Sequence, residues 1–459
     1  MTTTETSFTG AAHAGRWPLR LWGVLAVLCT VVFLDGLDIS NIGVALPSIG
    51  AELGLSTTAL QWVVNGYVLG FGGLLLLGGR TADLLGRRRV FLVAVAVFTV
   101  ASLAGGLVDD GGLLIASRFV KGLAAAFTAP TALSILTTTF PEGPARNRAL
   151  GIFTAFSACG FSSGLLLGGV LTTIGWRWNF LVPVPLALAA LIGGVLLIAR
   201  DRPAAAGGQD LGGAVTLTAG MLLTVYAVVT ASWLLLIPAV ALLAGFVLIE
   251  KRVRHPLVRL GLLRTGSIVR ANASMIALMG SYVSFQFIMT LYLQDVLRWT
   301  PLQVALAVLP LGLVVVFGSP YVGRLVSSWG TARLITISMA LLTLSYLWLL
   351  LTAGSDPHYL AQMLPTMLLN GGAFAFGYGT IVTQATDGVA DAEQGLASGL
   401  VQTSGQVGMA LVLAVTSTLV ASATAAGSFT SFRPGLILVT AVAVAGFLLN
   451  LYGLIRPRR

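Results

Sequence analysis

The chain has 459 residues, of which 56% are hydrophobic and only 9% charged, with 55 glycines and a net charge of +10. A soluble protein of this length would carry about a quarter charged residues, so the composition excludes a soluble enzyme or nucleic-acid-binding protein and predicts an all-helical membrane protein. The positive charge falls in alternate loops, the distribution that membrane insertion imposes.

Residues 1–19 form a polar N-terminal tail, and the apolar run that follows lacks an A-x-A cleavage site, so the first span is expected to stay. Spanning a bilayer core takes roughly twenty apolar residues. On that measure the sequence predicts fourteen helical spans, at 20–46, 60–78, 90–107, 113–138, 148–172, 180–199, 211–229, 233–250, 268–294, 302–325, 333–352, 360–384, 395–420 and 434–455. With the N-terminus inside, inner loops and tails hold 21 Lys and Arg, outer loops hold three (Arg177, Arg298 and Arg433), and spans hold two (Arg118 and Lys121). Both termini are therefore expected in the cytoplasm and the chain in the cell membrane. Cys29 and Cys159 fall inside apolar runs without metal spacing and read as small core residues.

The first span contains FLDGLDISNIGVALPSI, in which Asp35 and Asp38 share a helical face and Asn41 lies a further turn along. An acid at mid-membrane costs about 2.5–3.5 kcal/mol on insertion scales, so it needs a partner or a task. One reading is a carboxylate that takes up and releases a proton near neutral pH; the other is an ion pair that holds two helices together. The loop after span two, GGRTADLLGRRRVF from Gly78 to Phe91, reads as a tight hairpin at the inner membrane face. Insertion explains its arginines but not Asp83 between Gly79 and Gly86, with Arg87 following. As G-x-x-x-D-x-x-G-R-R these residues resemble the loop signature between spans two and three of the major facilitator superfamily of secondary transporters.

Span four carries RFVKGLAAAFTAP, with Arg118 and Lys121 three residues apart. They lie roughly 8 and 12 Å below the outer surface, and Asp38 about 13 Å below it, at 1.5 Å per residue. These groups are thus expected to meet. Span five reads GFSSGLLLGGVLTTIGWRW, whose Gly160, Gly164, Gly168 and Gly169 make a smooth stripe for close helix contact.

These stretches resemble the fourteen-span drug:proton antiporter branch of that superfamily. In the first span, D-x-S-x-x-x-V-A-L-P puts Asp38 at the family's acid and Ser40 at its usual Thr, while Gly43 replaces the usual Asn and Asp35 falls outside the match. Arg118 and Gly122 match the span-four signature, with Lys121 in place of the usual Gln. The glycines of span five resemble the signature associated with export, with Leu165 at its proline position. The resemblance implies proton coupling through Asp38, Asp35 and Arg118, and a conformational latch at Gly79, Asp83, Gly86 and Arg87. In that latch Asp83 would meet the inner start of span thirteen near Gln394 and Gly395.

An internal repeat at an offset of 244 residues supports the same reading. Gly323, Arg324 and Gly330 repeat Gly79, Arg80 and Gly86; Arg333 repeats Arg89, and Gly395 repeats Gly151. Ser327 stands where a second Asp83 would fall. The expected organisation is a six-helix half over 20–199, a linker over 200–267 with two extra transmembrane helices and a basic cytoplasmic segment, a second six-helix half over 268–455, and a tail over 456–459. The second half offers Gln286, Asn370, Gln402 and Gln406 but no acid deep in a span. Asn41, Lys121, Gln286 and Asn370 are the candidate substrate-cavity residues. Two acids and two bases at similar depth would leave the first-half cavity near neutral, which favours neutral or anionic substrates.

The sequence holds no phosphate-binding glycine loop with a lysine, no metal cluster and no nucleophile elbow. The expected protein is therefore a monomeric exporter of small organic compounds such as drugs or antibiotics, not an enzyme. It would be driven by a proton gradient, with no cofactor, metal or nucleic acid. A proton-coupled importer of a nutrient is the alternative.

Overall fold

A computed structural model describes residues 17–141, 144–200, 210–230, 232–253, 256, 265–352, 358–387, 391–420 and 428–455, though not every side chain within the helices. Among the described residues there is no strand. The first bundle comprises α1 (Leu19–Leu53), α2 (Thr57–Leu85), α3 (Arg87–Leu107), α4 (Gly111–Thr139), α5 (Pro144–Ile174), the single turn α6 (Trp178–Leu181) and α7 (Pro183–Leu197). After it come α8 (Leu211–Val229) and α9 (Leu236–Glu250). The second bundle comprises α10 (Gly266–Leu291), α11 (Pro301–Trp329), α12 (Thr331–Thr352), α13 (Leu364–Thr386), α14 (Asp391–Val420) and α15 (Arg433–Ile455).

Ten helical stretches of the described residues are long and apolar enough to cross a membrane, so this is a multi-pass membrane protein. Helices α2, α5, α8 and α13 fall outside that set, although each coincides with an expected span. The stretch read as a hairpin from Gly78 to Phe91 differs in form. Helix α2 continues through Leu85, and the chain turns on Gly86 alone, whose φ of 94° disfavours any side chain. Helices α11 and α12 join in the same way at Gly330, with φ of 79°. The two turns are 244 residues apart, so the sequence repeat is also a repeat of backbone conformation. The expected latch contact between Asp83 and Gln394 or Gly395 lies outside the described residues.

Packing repeats as well. Helix α1 packs on α5, α2 on α4, and α3 on α4 and α7; α10 on α14, α11 on α13, and α12 on α13 and α15 reproduce those pairs. The bundles meet where α5 lies on α11 and α2 on α14. At one end of this seam the Gln294 amide donates to the Val44 carbonyl at 2.8 Å. Helix α8 packs against both α2 and α14 and carries α9 on its other side; the Trp62 and Tyr226 rings lie 6.3 Å apart between α2 and α8. Cys29 is buried as expected, but Cys159 is exposed, because it lies on α5 away from the glycine face that meets α1.

Candidate functional site

The site begins with close approach of helix backbones. On α4, a Cβ at Gly122 would lie 2.9 Å from Tyr67 Cα, and on α2 a Cβ at Gly70 would lie 2.6 Å from the Phe119 carbonyl oxygen. Glycine at both positions lets α2 and α4 touch backbone to backbone. That contact brings the Val63 carbonyl within 3.0 Å of Arg118 Nε and sets the guanidinium 4.7 Å from the Tyr67 ring centroid. Arg118 and Lys121 project from one face of α4 because three residues make nearly a full turn. Both reach Asp38 on α1: Arg118 Nη1 donates to Oδ2 and Lys121 Nζ to Oδ1.

All three side chains are at most 1% exposed. Lys121 is boxed by aromatic rings, 4.7 Å from the Phe98 centroid and 5.3 Å from that of Phe180, and donates to Ser102 Oγ at 3.1 Å. A buried carboxylate thus faces two bases in a dry setting, where each charge depends on the others for its solvation. Asp35 lies apart from this group. Its Oδ2 accepts from Thr128 Oγ1 at 3.0 Å, and its Oδ1, also buried, has no hydrogen-bond partner. A small crevice lies beside it, bounded by Val95, Phe98 and Thr128.

A larger cavity lies between the bundles, bounded chiefly by α1 and α10. Ile39, Gly43, Val64, Tyr282, Gln286 and Thr290 are among the residues that line it. Of the four residues expected there, Gln286 alone is on the wall. Asn41 turns into its own bundle and donates to the Asn179 carbonyl at 3.2 Å. Asn370 is fully buried and donates to Tyr346 Oη at 3.3 Å. Lys121 is drawn behind α1 by Asp38 and the Phe98 and Phe180 rings, so it does not border the cavity.

The glycine stripe of α5 is the surface on which α1 rests. A Cβ at Gly164 would lie 2.7 Å from the Leu37 carbonyl oxygen and one at Gly168 2.6 Å from that of Asn41, while Gly160 faces Phe33. Gly169 points the other way, toward Pro301 and Ala305 on α11. The stripe therefore supports the segment that carries Asp35 and Asp38. Gly164→Val is expected to lower stability by about 1–3 kcal/mol, the usual cost of forcing atoms into a packed contact. Thermal unfolding of the purified protein in detergent checks this; an unchanged midpoint would show that the α1–α5 seam yields easily. Gly408, 244 residues beyond Gly164, likewise lets α14 approach α10, where a Cβ would lie 2.6 Å from the Ile276 carbonyl oxygen.

Several partners could not be read from the sequence. Tyr67, Ser102, Thr128 and Phe180 are ordinary helix residues whose roles depend on which rods become neighbours. The repeat offset did carry one usable signal: it places Tyr282 at the position corresponding to Asp38. The second bundle thus has a buried phenol where the first has the acid.

The family model described as Major Facilitator Superfamily matches residues 28–413. The chain is 37% identical over 433 residues to the puromycin resistance protein pur8 of Streptomyces alboniger, covering 91% of this chain and 85% of that protein. It is 39% identical over 436 residues to the cephamycin export protein CmcT of Amycolatopsis lactamdurans, covering 91% and 89%. Among solved structures, the POT family transporter PepTSo superposes with a TM-score of 0.69 at 18% identity, over 97% of this chain and 100% of that one, a likeness of fold.

Proposed function

The chain belongs to the major facilitator superfamily and is a transporter, not an enzyme, and we propose that it exports small organic compounds such as antibiotics in exchange for protons. Relatives named for resistance to or export of puromycin, cephamycin, lincomycin and tetracenomycin C support the export of drugs. The observation that carries proton coupling is the buried carboxylate of Asp38, held by Arg118 and Lys121 one helix away from the cavity between the bundles. An acid there is costly unless it is paired, and its pairing can be exchanged for a proton when water reaches it. In the proposed cycle, outward opening admits protons to Asp38 and frees Arg118. Inward opening renews the pairing and expels the proton to the cytoplasm, so each full cycle of the two bundles moves one proton.

The protein works in this reading as a monomer in the cell membrane, with substrate in the cavity lined by Gln286. A pH jump across proteoliposomes holding the purified protein tests it. Antiport predicts that an inward proton gradient drives substrate out, and co-movement in one direction would instead support import.

The proposed topology has fourteen spans, with α8 and α9 a true transmembrane pair and both chain termini cytoplasmic. Single cysteines placed at Gly207 and Arg254, in a background lacking Cys29 and Cys159, are expected to react only with reagent on the inner side. Labelling of either from outside would exclude this arrangement.

A further inference from the structure

Gly43 stands out on the cavity wall. A Cβ there would meet nothing within 4 Å. The missing side chain therefore widens the cavity between α1 and α10. Across the cavity stands Gln286, whose Nε2 is shielded from solvent and has the Tyr282 hydroxyl as its polar neighbour. Its polar companions on the wall are Ser40, Tyr282 and Thr290, and the Ser40 hydroxyl is already engaged with the Gly36 and Leu37 carbonyls at 3.2 and 3.3 Å.

No Asp, Glu, Lys or Arg is among the described residues lining this space. The charges of Asp38, Arg118 and Lys121 are spent on one another behind α1. An ion entering the cavity would lose its water and find no counter-charge. A neutral apolar molecule would lose little, and an acceptor on it could take a hydrogen bond from Gln286 Nε2.

We propose that Gly43 and Gln286 set substrate choice: the cavity takes an uncharged, largely aromatic or aliphatic compound that packs into the space over Gly43 and presents a carbonyl-type acceptor to Gln286 Nε2. This rests on the reading that the cavity carries the transported compound. Gly43 acts by its absence of volume, and Gln286 by a single directed hydrogen bond.

Three probes of similar apolar bulk separate the contributions. Benzophenone is neutral with one acceptor, diphenylmethane is neutral without one, and tetraphenylphosphonium is an apolar cation. Calorimetric titration of the purified full chain in detergent is expected to rank benzophenone above diphenylmethane by about two- to tenfold, the contribution of one hydrogen bond, with tetraphenylphosphonium the weakest. Gln286→Leu is expected to erase the preference, so that benzophenone and diphenylmethane bind equally. Gly43→Trp should weaken both neutral probes by roughly tenfold or more through lost space, and Gly43→Asn, a smaller change, should weaken them less.

A cation that binds as tightly as benzophenone, a benzophenone preference that survives Gln286→Leu, or neutral-probe binding indifferent to both Gly43 variants would each overturn the assignment. Binding is read without transport, so the two readings fail separately. The expected ranking with no pH-driven movement would sink proton-coupled export alone, and pH-driven export of tetraphenylphosphonium but not benzophenone would sink the substrate assignment alone.

Discussion

Asp38→Asn is expected to abolish accumulation of substrate driven by a pH gradient while preserving exchange of substrate down its own gradient. Asparagine keeps the shape of the side chain and can still accept from Arg118 Nη1 or Lys121 Nζ, but it cannot titrate. The change also leaves two buried bases without their counter-charge, since both donate to this one carboxylate. Losing one partner of a buried pair costs about 3–5 kcal/mol, so a lower unfolding temperature should accompany the transport defect. Exchange is therefore the necessary control: a variant that exchanges but does not accumulate has lost coupling, whereas one that does neither has lost its fold. Asp35→Asn is expected to be milder, because Asp35 has one hydrogen bond, from the neutral hydroxyl of Thr128, and no base bonded to it. If Asp35→Asn abolishes accumulation and Asp38→Asn does not, the coupling acid has been misassigned.

The rods and their order could be read from the sequence because a bilayer allows few alternatives: apolar length, glycine turns and the 244-residue repeat all describe elements that are local in the chain. The turn itself is less closely legible: the sequence predicts a hairpin over residues 78–91, whereas α2 runs on to Leu85 and the chain reverses at Gly86. The cluster of Asp38, Arg118 and Lys121 was legible for a related reason. Charges at one depth in a low-dielectric medium must find each other, and depth follows from counting residues. What could not be read is the direction in which each polar side chain turns once the rods are assembled. Lys121 and Asn41 lie at the depth of the cavity, yet Phe98, Phe180 and Asn179 on neighbouring helices draw them into the first bundle. Gln286 and Asn370 are both amides on second-bundle helices, and only packing separates the one on the cavity wall from the one bonded to Tyr346.

Arg118→Lys is expected to fold but to transport slowly, which separates the charge of this residue from its shape. The guanidinium does three things at once: it donates to Asp38, donates through Nε to the Val63 carbonyl at 3.0 Å, and lies over the Tyr67 ring at 4.7 Å. It thereby ties α4 to both α1 and α2. A lysine ammonium on its flexible stem keeps the charge near Asp38 but cannot span both acceptors while stacking on the ring. Hydrogen bonds to charged groups contribute about 1.5–3 kcal/mol each, so losing the Val63 tie predicts roughly a tenfold or greater fall in pH-driven transport if that tie times the proton's release. Arg118→Leu removes the charge as well and should lose about 3–5 kcal/mol of stability, leaving Asp38 with Lys121 as its single base. Transport rates in proteoliposomes and unfolding midpoints of the same preparations test both variants together. Wild-type transport by Arg118→Lys would mean that Arg118 serves only as a point charge, and the link between α1 and α2 would then have no part in coupling.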